Sequence, residues 1–255
     1  MTTSTPARAL VVEQHRCLSA AYDPLTFTRL AQTGVRRAWR CLEVGAGGGS
    51  VAHWLAARAG SVLATDLAPE HVPPAPRLTA VRHDVVRDPL PGDAYDLVHV
   101  RFVLRHLPER DAVLRKLVAA LKPGGWLQVD EFDNSYRPVL LAPDAWSAEL
   151  YERFLAVEEA MFDDSGVDGA WGRKAAAAMA AAGLVEVDPR PVLHPWRAGS
   201  PGVRLIAHTT RLLHDRLIAA GMTGAQLDGV RALLADERFA ATSPVVYSVH
   251  GRKPA

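Results

Sequence analysis

The chain has 255 residues, 49% of them hydrophobic, and a formal net charge of only +1. That length suits one large domain or a domain with a lid, and the near-neutral charge argues against a nucleic-acid or anionic-membrane partner. The two cysteines, Cys17 and Cys41, make neither a disulfide framework nor a metal-ligand spacing and read as reduced thiols. No run reaches the about 18 apolar residues of a membrane span. The first residues lack the charged start and apolar core of a signal peptide. A soluble cytoplasmic protein with a disordered start of six residues is therefore expected.

Residues 9–30 read as one or two helices, with Asp23-Pro24 breaking the run and Pro24 able to start the second. A regular alternation follows. Strands are expected near 41–44, 61–65, 79–82, 95–100 and 125–131, and helices near 49–59 and 108–121. Lys122-Pro123-Gly124-Gly125 supplies turn residues that stop the second of these helices. Four prolines in 68–76 leave room for only a short helix there. Strands alternating with helices imply parallel pairing through right-handed crossovers.

The second half differs. Residues 144–163 form an amphipathic helical pattern with Trp146, Leu150, Phe154, Leu155 and Val157 on the apolar side. An alanine-rich helix over 171–182 ends at Gly183, 184–187 is a strand, 201–220 and 224–235 are helices, and 244–250 is a closing strand. The helical insertions after the fifth and sixth strands are lid candidates, because ligands bind at the carboxyl edge of a doubly wound sheet.

The densest chemistry lies in Leu42-Glu43-Val44-Gly45-Ala46-Gly47-Gly48-Gly49, an apolar strand that ends in an acid and runs into a glycine turn. Glycines let a backbone approach a ligand closely and open a helix whose N-terminus faces it. A nicotinamide-binding turn would read G-x-G-x-x-G, and Ser50 stands where its third glycine belongs. An acid before the turn repels a pyrophosphate but suits an amino group or a cation. S-adenosylmethionine carries an α-amino group and a sulfonium and no phosphate. Asp66, after a second apolar run, is placed to accept ribose hydroxyls.

Taken together these segments resemble the class I S-adenosylmethionine-dependent methyltransferases over about residues 13–131 and the final strand. Glu43 to Gly49 resembles the first motif of that family, Thr65-Asp66-Leu67 the second, His83-Asp84-Val85 the third, Tyr95-Asp96-Leu97-Val98 the fourth strand, and Leu121 to Gly125 the turn before the fifth. The resemblance implies an α/β fold: a Rossmann-like, doubly wound, seven-stranded, mostly parallel sheet with the last strand antiparallel, plus helical lid insertions. It implies one domain over 1–255, with a helical N-terminal lid (1–38), a cofactor-binding half (39–131) and insertions at 132–170 and 194–240 forming a substrate cap. It implies S-adenosylmethionine as cofactor, with S-adenosylhomocysteine as product. The expected cofactor residues are Tyr22, Glu43, Gly45, Ala46, Gly47, Gly49, Asp66, Leu67, Asp84, Val85 and Arg101. Asp84 has a turn cap as its alternative, with the adenine role favoured by its position after the third strand, while the Arg101 side chain reads equally as a salt-bridge partner on the helix that follows and Tyr22 equally as a core residue.

Methyl transfer from a sulfonium is an in-line displacement that depends on alignment and desolvation, and a base is needed when the acceptor must lose a proton. The candidate catalytic residues are His106, expected to open the helix after the fourth strand, His15 in the first helix, and Tyr22. Candidate substrate-binding residues are Glu131, Asp133, Trp171 and His208. Asp133-Asn134 superficially matches the magnesium pair of catechol-type methyltransferases. The end of the fourth strand reads His99-Val100-Arg101, however, and offers no carboxylate, so no metal is expected. The absence of an Asn/Asp-Pro-Pro-aromatic motif there disfavours nucleobase methylation. Trp146, Phe154, Phe162, Trp171 and Trp196 either line an aromatic lid for a planar or apolar small molecule or simply pack the insertions. The look is similar to small-molecule methyltransferases of bacterial secondary metabolism, acting as monomer or homodimer on O, N or C. A nicotinamide-dependent oxidoreductase and a non-methylating relative are the alternatives.

Overall fold

A computed structural model describes residues 5–255 of the chain. The expectation of disorder covers residues 1–4, which lie outside the described residues, but Thr5 and Pro6 already belong to the first helix. In chain order the elements begin with α1 (Thr5–Gln32), β1 (Arg40–Val44), α2 (Ser50–Ala56), β2 (Ser61–Asp66), β3 (Leu78–Arg82), β4 (Tyr95–Arg101), α3 (Arg110–Ala120) and β5 (Leu121–Asp133). They continue with β6 (Val139–Leu141), α4 (Ala145–Asp163), α5 (Trp171–Ala181), β7 (Val185–Val192), β8 (Pro195–Arg197), α6 (Pro201–Leu212), α7 (His214–Ala219), α8 (Gly224–Ala235), β9 (Ala240–Thr242) and β10 (Val245–Arg252). Among the described residues no helix is long and apolar enough to cross a membrane.

The chain folds as two compact units. The sheet unit comprises Asp23–Asp133, Ala170–Val192 and Val246–Ala255, and the helical unit comprises residues up to Tyr22, Asn134–Gly169 and Leu193–Val245. The sheet unit holds seven strands in the order β3-β2-β1-β4-β5-β10-β7. The β1–β2, β2–β3, β1–β4 and β4–β5 pairs are parallel, and β10 runs antiparallel to β7. This is the Rossmann-like sheet expected from the motifs.

Its strands carry different chemistry on their two faces, because side chains alternate along a strand. Leu42, Val44, Val98, Val100, Leu127 and Val129 are buried on one face, in a core shared with Leu114 and Leu117 of α3 and Trp171, Ala175 and Met179 of α5. On the other face Cys41, Val62, Ala64 and Leu97 pack against Leu30 of α1 and Val51 and Leu55 of α2. A fully buried Leu or Val stabilises by about 1.5–3 kcal/mol, so two covered faces suffice to hold the sheet. Toward the strand ends the second face turns polar: Glu43, His99, Gln128 and Asp130 are all buried.

Several boundaries depart from the sequence expectations. Helix α1 is a single element that runs through Pro24. Residues 121–125 are not a separate turn but a bulge inside β5, where Tyr95 pairs with Leu121 and Leu97 with Trp126. His106 does not open a helix. It closes a one-turn 3-10 segment, Leu104–His106, and α3 starts at Arg110. The 201–220 helix breaks at Leu213 into α6 and α7.

The helical unit contains a small sheet, β6-β9-β8, that no periodicity announced. Three of its helices start on side-chain caps: Asp144 accepts from Ser147 N–H for α4, Ser200 from Val203 N–H for α6, and Thr223 forms a capping box with Gln226 for α8. Its core includes Tyr151 and Phe239, whose rings meet edge to face at 4.9 Å. Trp146, expected on the apolar side of α4, is instead 65% exposed.

Candidate active site

The parallel register brings the carboxyl ends of the strands into line: Val44 sits beside Thr65 on one side and Val100 on the other, Asp66 beside Arg82, and Arg101 beside Asp130. The glycine turn leaves from the middle of that edge. Gly45, Gly47 and Gly49 all have left-handed backbone, with φ of 69°, 50° and 79°, a region that costs an L-residue about 1–2 kcal/mol. A Cβ on Gly45 would collide with the Val103 side chain, and one on Gly49 would stand 2.9 Å from Val72 Cγ1. Gly45 and Ala46 N–H both donate to Thr65 C=O, at 2.8 and 3.1 Å. The turn is thus fastened to β2, and it opens α2 at Ser50.

Asp66 is fastened to the same turn. Its carboxylate accepts Gly47 N–H at 2.8 Å through Oδ2 and Ala68 N–H at 2.8 Å through Oδ1. Each oxygen keeps a lone pair for a further donor. Beside it Leu67 is 58% exposed. Asp84 caps the turn after β3, accepting from Val86 N–H at 2.9 Å, while its other oxygen lies 3.6 Å from Arg87. Val85, next in the chain, is buried in the core. The capping geometry anticipated for Asp84 is therefore present.

Glu43 lies at 2% exposure opposite His99 of β4. His99 Nδ1–H donates to Glu43 Oε2 at 2.7 Å, and Nε2 faces Asp130 Oδ2 at 3.3 Å. Burial opposes the charge on this ring, but the Glu43 charge and the hydrogen bonds to Asp130 and Glu43 outweigh it and raise the pKa to about 9. Burial also pushes up the Glu43 carboxyl, only partly countered by the His99 charge and hydrogen bond. For Asp130 burial is overcome by the bonds from His99, Ser248 and Thr26, and the pKa falls to about 2.

A second network adjoins the first. Arg101 Nη1 lies 2.9 Å from Asp23 Oδ1 and 3.1 Å from Thr26 Oγ1. Ser50 Oγ donates to Asp23 at 3.0 Å, and Thr26 Oγ1 donates to Asp130 at 2.7 Å. The Arg101 side chain thus takes the salt-bridge alternative, although its partner comes from α1 and not from the helix that follows β4. Gln128 donates to Asp130 at 3.1 Å and faces His250 at 2.8 Å.

Two expected substrate carboxylates are already engaged. Glu131 is fully buried, and its Oε1 accepts Leu104 and Arg105 N–H at 2.7 and 3.4 Å. Burial raises its pKa to about 7 against the pull of Arg105 and these amides. Asp133 is gripped by both guanidinium arms of Arg173. Neither presents a free charge to an acceptor. Trp171 is 2% exposed in the sheet core and serves packing, because Gly172 beside it brings α5 against the Glu131–Phe132 backbone. His106 keeps an exposed edge. Partial enclosure of its ring, together with Arg105 and Arg110, lowers its pKa, so the ring is neutral at pH 7.

Tyr22, His15 and His208 belong to the helical unit. Tyr22 is 1% exposed against Trp196, as a core tyrosine would be. His208 Nε2 lies 4.0 Å from Glu13, which also accepts from Cys17 Sγ at 3.8 Å. The three side chains have the ligand types of a zinc site. His208 Nδ1, however, is buried without a partner and so lacks the outer hydrogen bond that orients a metal-bound histidine.

The sequence reading passed over the Phe102–Phe132 pair, whose rings stack at 3.8 Å and 7° at the ends of β4 and β5. Phe102 has φ of 56°, a strained value for a bulky residue. No periodicity signals that conformation. The polar residues inside β4 and β5 were a usable signal, since a buried His, Gln or Asp in an apolar strand must find partners.

Residues 42–127, the stretch holding the turn, both strand-end acids and His99, match the family model for a methyltransferase domain. That stretch is similar to the methyltransferase domains that use S-adenosylmethionine. Among curated proteins it is 37% identical over 101 residues to methyltransferase str2 of Strobilurus tenacellus, covering 37% of this chain and 36% of that protein. It is 32% identical over 133 residues to the ubiquinone/menaquinone biosynthesis C-methyltransferase UbiE of Cupriavidus necator, covering 48% and 54%. These matches thus span about a third to a half of the relatives' lengths. Phosphoethanolamine N-methyltransferase 2 of Haemonchus contortus, solved with S-adenosylhomocysteine, shares the fold at TM-score 0.55 and 15% identity, over 91% of this chain and 53% of that one. The glycines answer internal packing, since Val103 and Val72 hold the space a Cβ would fill at Gly45 and Gly49, and it is Asp66, with one further lone pair on each oxygen, whose chemistry fits the ribose of such a cofactor.

Proposed function

We propose that this chain transfers a methyl group from S-adenosylmethionine to an O, N or C atom of a small, planar or apolar, natural-product-like acceptor. The cofactor supplies the electrophilic methyl on its sulfonium. The chain's own residues supply the rest. Asp66 accepts the ribose hydroxyls, Glu43 answers the positive charge of the methionine end, and Leu67, Asp84 and Val85 border the adenine. The observation that supports an aromatic acceptor is the Phe102–Phe132 stack at the carboxyl ends of β4 and β5, flanked by the guanidiniums of Arg101 and Arg105. UbiE, a C-methyltransferase of ubiquinone and menaquinone biosynthesis, supports a ring-bearing acceptor. His106 is the base when the acceptor must lose a proton, since its ring is neutral and has an exposed edge. His15, Tyr22 and His208 lie in the helical unit. That unit lies outside the matched stretch and is the part free to differ between acceptors. Glu131, Asp133 and Trp171 support the fold and are not acceptor contacts.

A nicotinamide-dependent reaction is disfavoured by Ser50, which takes the third-glycine position and whose hydroxyl is committed to Asp23. Mass spectrometry of reactions with labelled donor and candidate aromatic acceptors tests the proposal. Gain of one methyl group supports it. Tight binding of NAD, with no binding of S-adenosylhomocysteine by calorimetry, refutes it.

A further inference from the structure

We propose that His99 is a positioning residue for the donor: it acts through Glu43, holding that carboxylate ionised and aimed at the methionine end. The inference rests on the methyltransferase reading and deepens it.

The geometry carries the argument. His99 stands between two carboxylates, with a ring nitrogen 2.7 Å from Glu43 and the other 3.3 Å from Asp130. Both partners are acceptors, so the ring satisfies both only as a doubly protonated imidazolium. All three groups are at most 2% exposed. A carboxylate taken that far from water protonates unless a cation stands beside it, and His99 is the cation in hydrogen-bond contact with Glu43.

The charged and polar groups facing this triad come from every packed element. Helix α1 brings Asp23, Thr26 and Arg29, α2 brings Ser50, and β4 brings Arg101 beyond His99. From β5 come Gln128 and Asp130, and from β10 Ser248 and His250. Arg101 is paired with Asp23, and Arg29 with Asp188. His250 is held neutral by burial and by Arg29. With His99 charged, Glu43, Asp130 and the Arg101–Asp23 pair leave one net negative charge in the cluster, the complement of a donor that carries one net positive charge. Asp130 anchors the far nitrogen of the ring and is itself fixed by Thr26 and Gln128, which sets the direction in which the ring holds Glu43.

The test is calorimetric binding of S-adenosylmethionine and S-adenosylhomocysteine to the full chain, to His99→Gln, to Glu43→Gln and to the double variant, from pH 6 to 9. The wild-type protein and His99→Gln both meet the titration of the donor's own amino group, so their difference reports the triad. We expect His99→Gln to bind the donor about tenfold more weakly at pH 6.5, with the gap closing toward pH 9 as His99 of the wild-type protein loses its charge. Glu43→Gln is weak at every pH, and adding His99→Gln to it costs nothing more. A deficit that is constant with pH, or that persists in the Glu43→Gln background, overturns the proposal. Should His99→Gln fail to fold, nitrogen NMR of the wild-type imidazole decides: a doubly protonated ring at pH 7 whose signal shifts on donor binding supports it, and a neutral or unshifted ring refutes it. Failure of the wild-type chain to bind either compound would instead overturn the methyltransferase reading itself.

Discussion

Replacing Gly45 by alanine separates two costs that the glycine turn combines. The residue has φ of 69°, and a Cβ there would run into the Val103 side chain. Gly34 is the internal control, with φ of 76° and nothing within 4 Å of its Cβ position. Left-handed backbone costs an L-residue about 1–2 kcal/mol. Part of that is returned because alanine restricts the unfolded chain, by about 0.4–1 kcal/mol. Gly34→Ala is therefore expected to lose about 1 kcal/mol. Gly45→Ala adds overpacking worth about 1–3 kcal/mol, for a total of about 2–4 kcal/mol. In a chain of this length each kcal/mol lowers Tm by about 2–4 °C, so the drops should be about 2–4 °C and about 4–16 °C. Differential scanning calorimetry measures both. Val103→Ala introduced into Gly45→Ala should return part of the excess, and binding of S-adenosylhomocysteine should weaken only in the Gly45 variants. Equal drops at the two glycines, or no relief from the Val103 change, would refute the steric argument.

Asp66→Ala should lose donor affinity by about a hundredfold, as expected of a carboxylate making two charged hydrogen bonds. It should also lower Tm, because Gly47 and Ala68 N–H lose their acceptor; calorimetry with S-adenosylhomocysteine reads both. His106→Ala should lower turnover by about 10²–10⁴-fold, the usual worth of a general base, with donor affinity unchanged, and an unaltered rate would demote the residue. In the wild-type enzyme that base protonates only as pH falls toward about 4, so turnover should hold at pH 5.5, where an ordinary histidine would already be mostly charged. His99 titrates the other way. Its folded pKa of about 9 exceeds the ordinary 6.5, so its stabilising contribution is complete below pH 6.5 and is lost as pH rises through about 9; urea midpoints at pH 6 and 9.5 measure the loss. Phe132→Leu should raise KM for an aromatic acceptor and leave donor affinity alone.

The strands of the sheet and the cofactor turn were legible because each is written locally. An apolar run, an acid and glycines fall within eight residues at 42–49, and Asp66 repeats the pattern one strand later. The polar layer was less legible. Glu43, His99 and Asp130 stand on three strands whose proximity depends on strand order and register, which no local pattern encodes. The same blindness explains Glu131 and Asp133: a carboxylate at a strand end looks free until the backbone amides of 104–105 and the Arg173 side chain are folded against it. Trp171 was ambiguous because a large aromatic at a helix start reads equally as ligand contact or as core, and the fold buries it to 2% exposure. Helix α1 continues through Pro24 because a proline costs one hydrogen bond and a clash, about 3 kcal/mol, while beyond it Thr26 and Leu30 gain buried partners and Arg29 pairs with Asp188. The small sheet of β6, β8 and β9 joins three-residue strands far apart in sequence.

The strand order has a consequence for the chain's birth. β10 lies between β5 and β7, so two strands completed earlier wait for one that is made after both. Until residues 245–252 leave the ribosome, the edge of β5 is a row of unpaired amides and carbonyls next to a finished half-sheet. Such an edge recruits other strands, and pairings this distant in sequence form slowly. The nascent protein therefore passes through a stage at which its cofactor turn is already built and its sheet is still open to foreign strands. Yield of active protein should depend on translation rate between β7 and β10 and on chaperones that shield that edge.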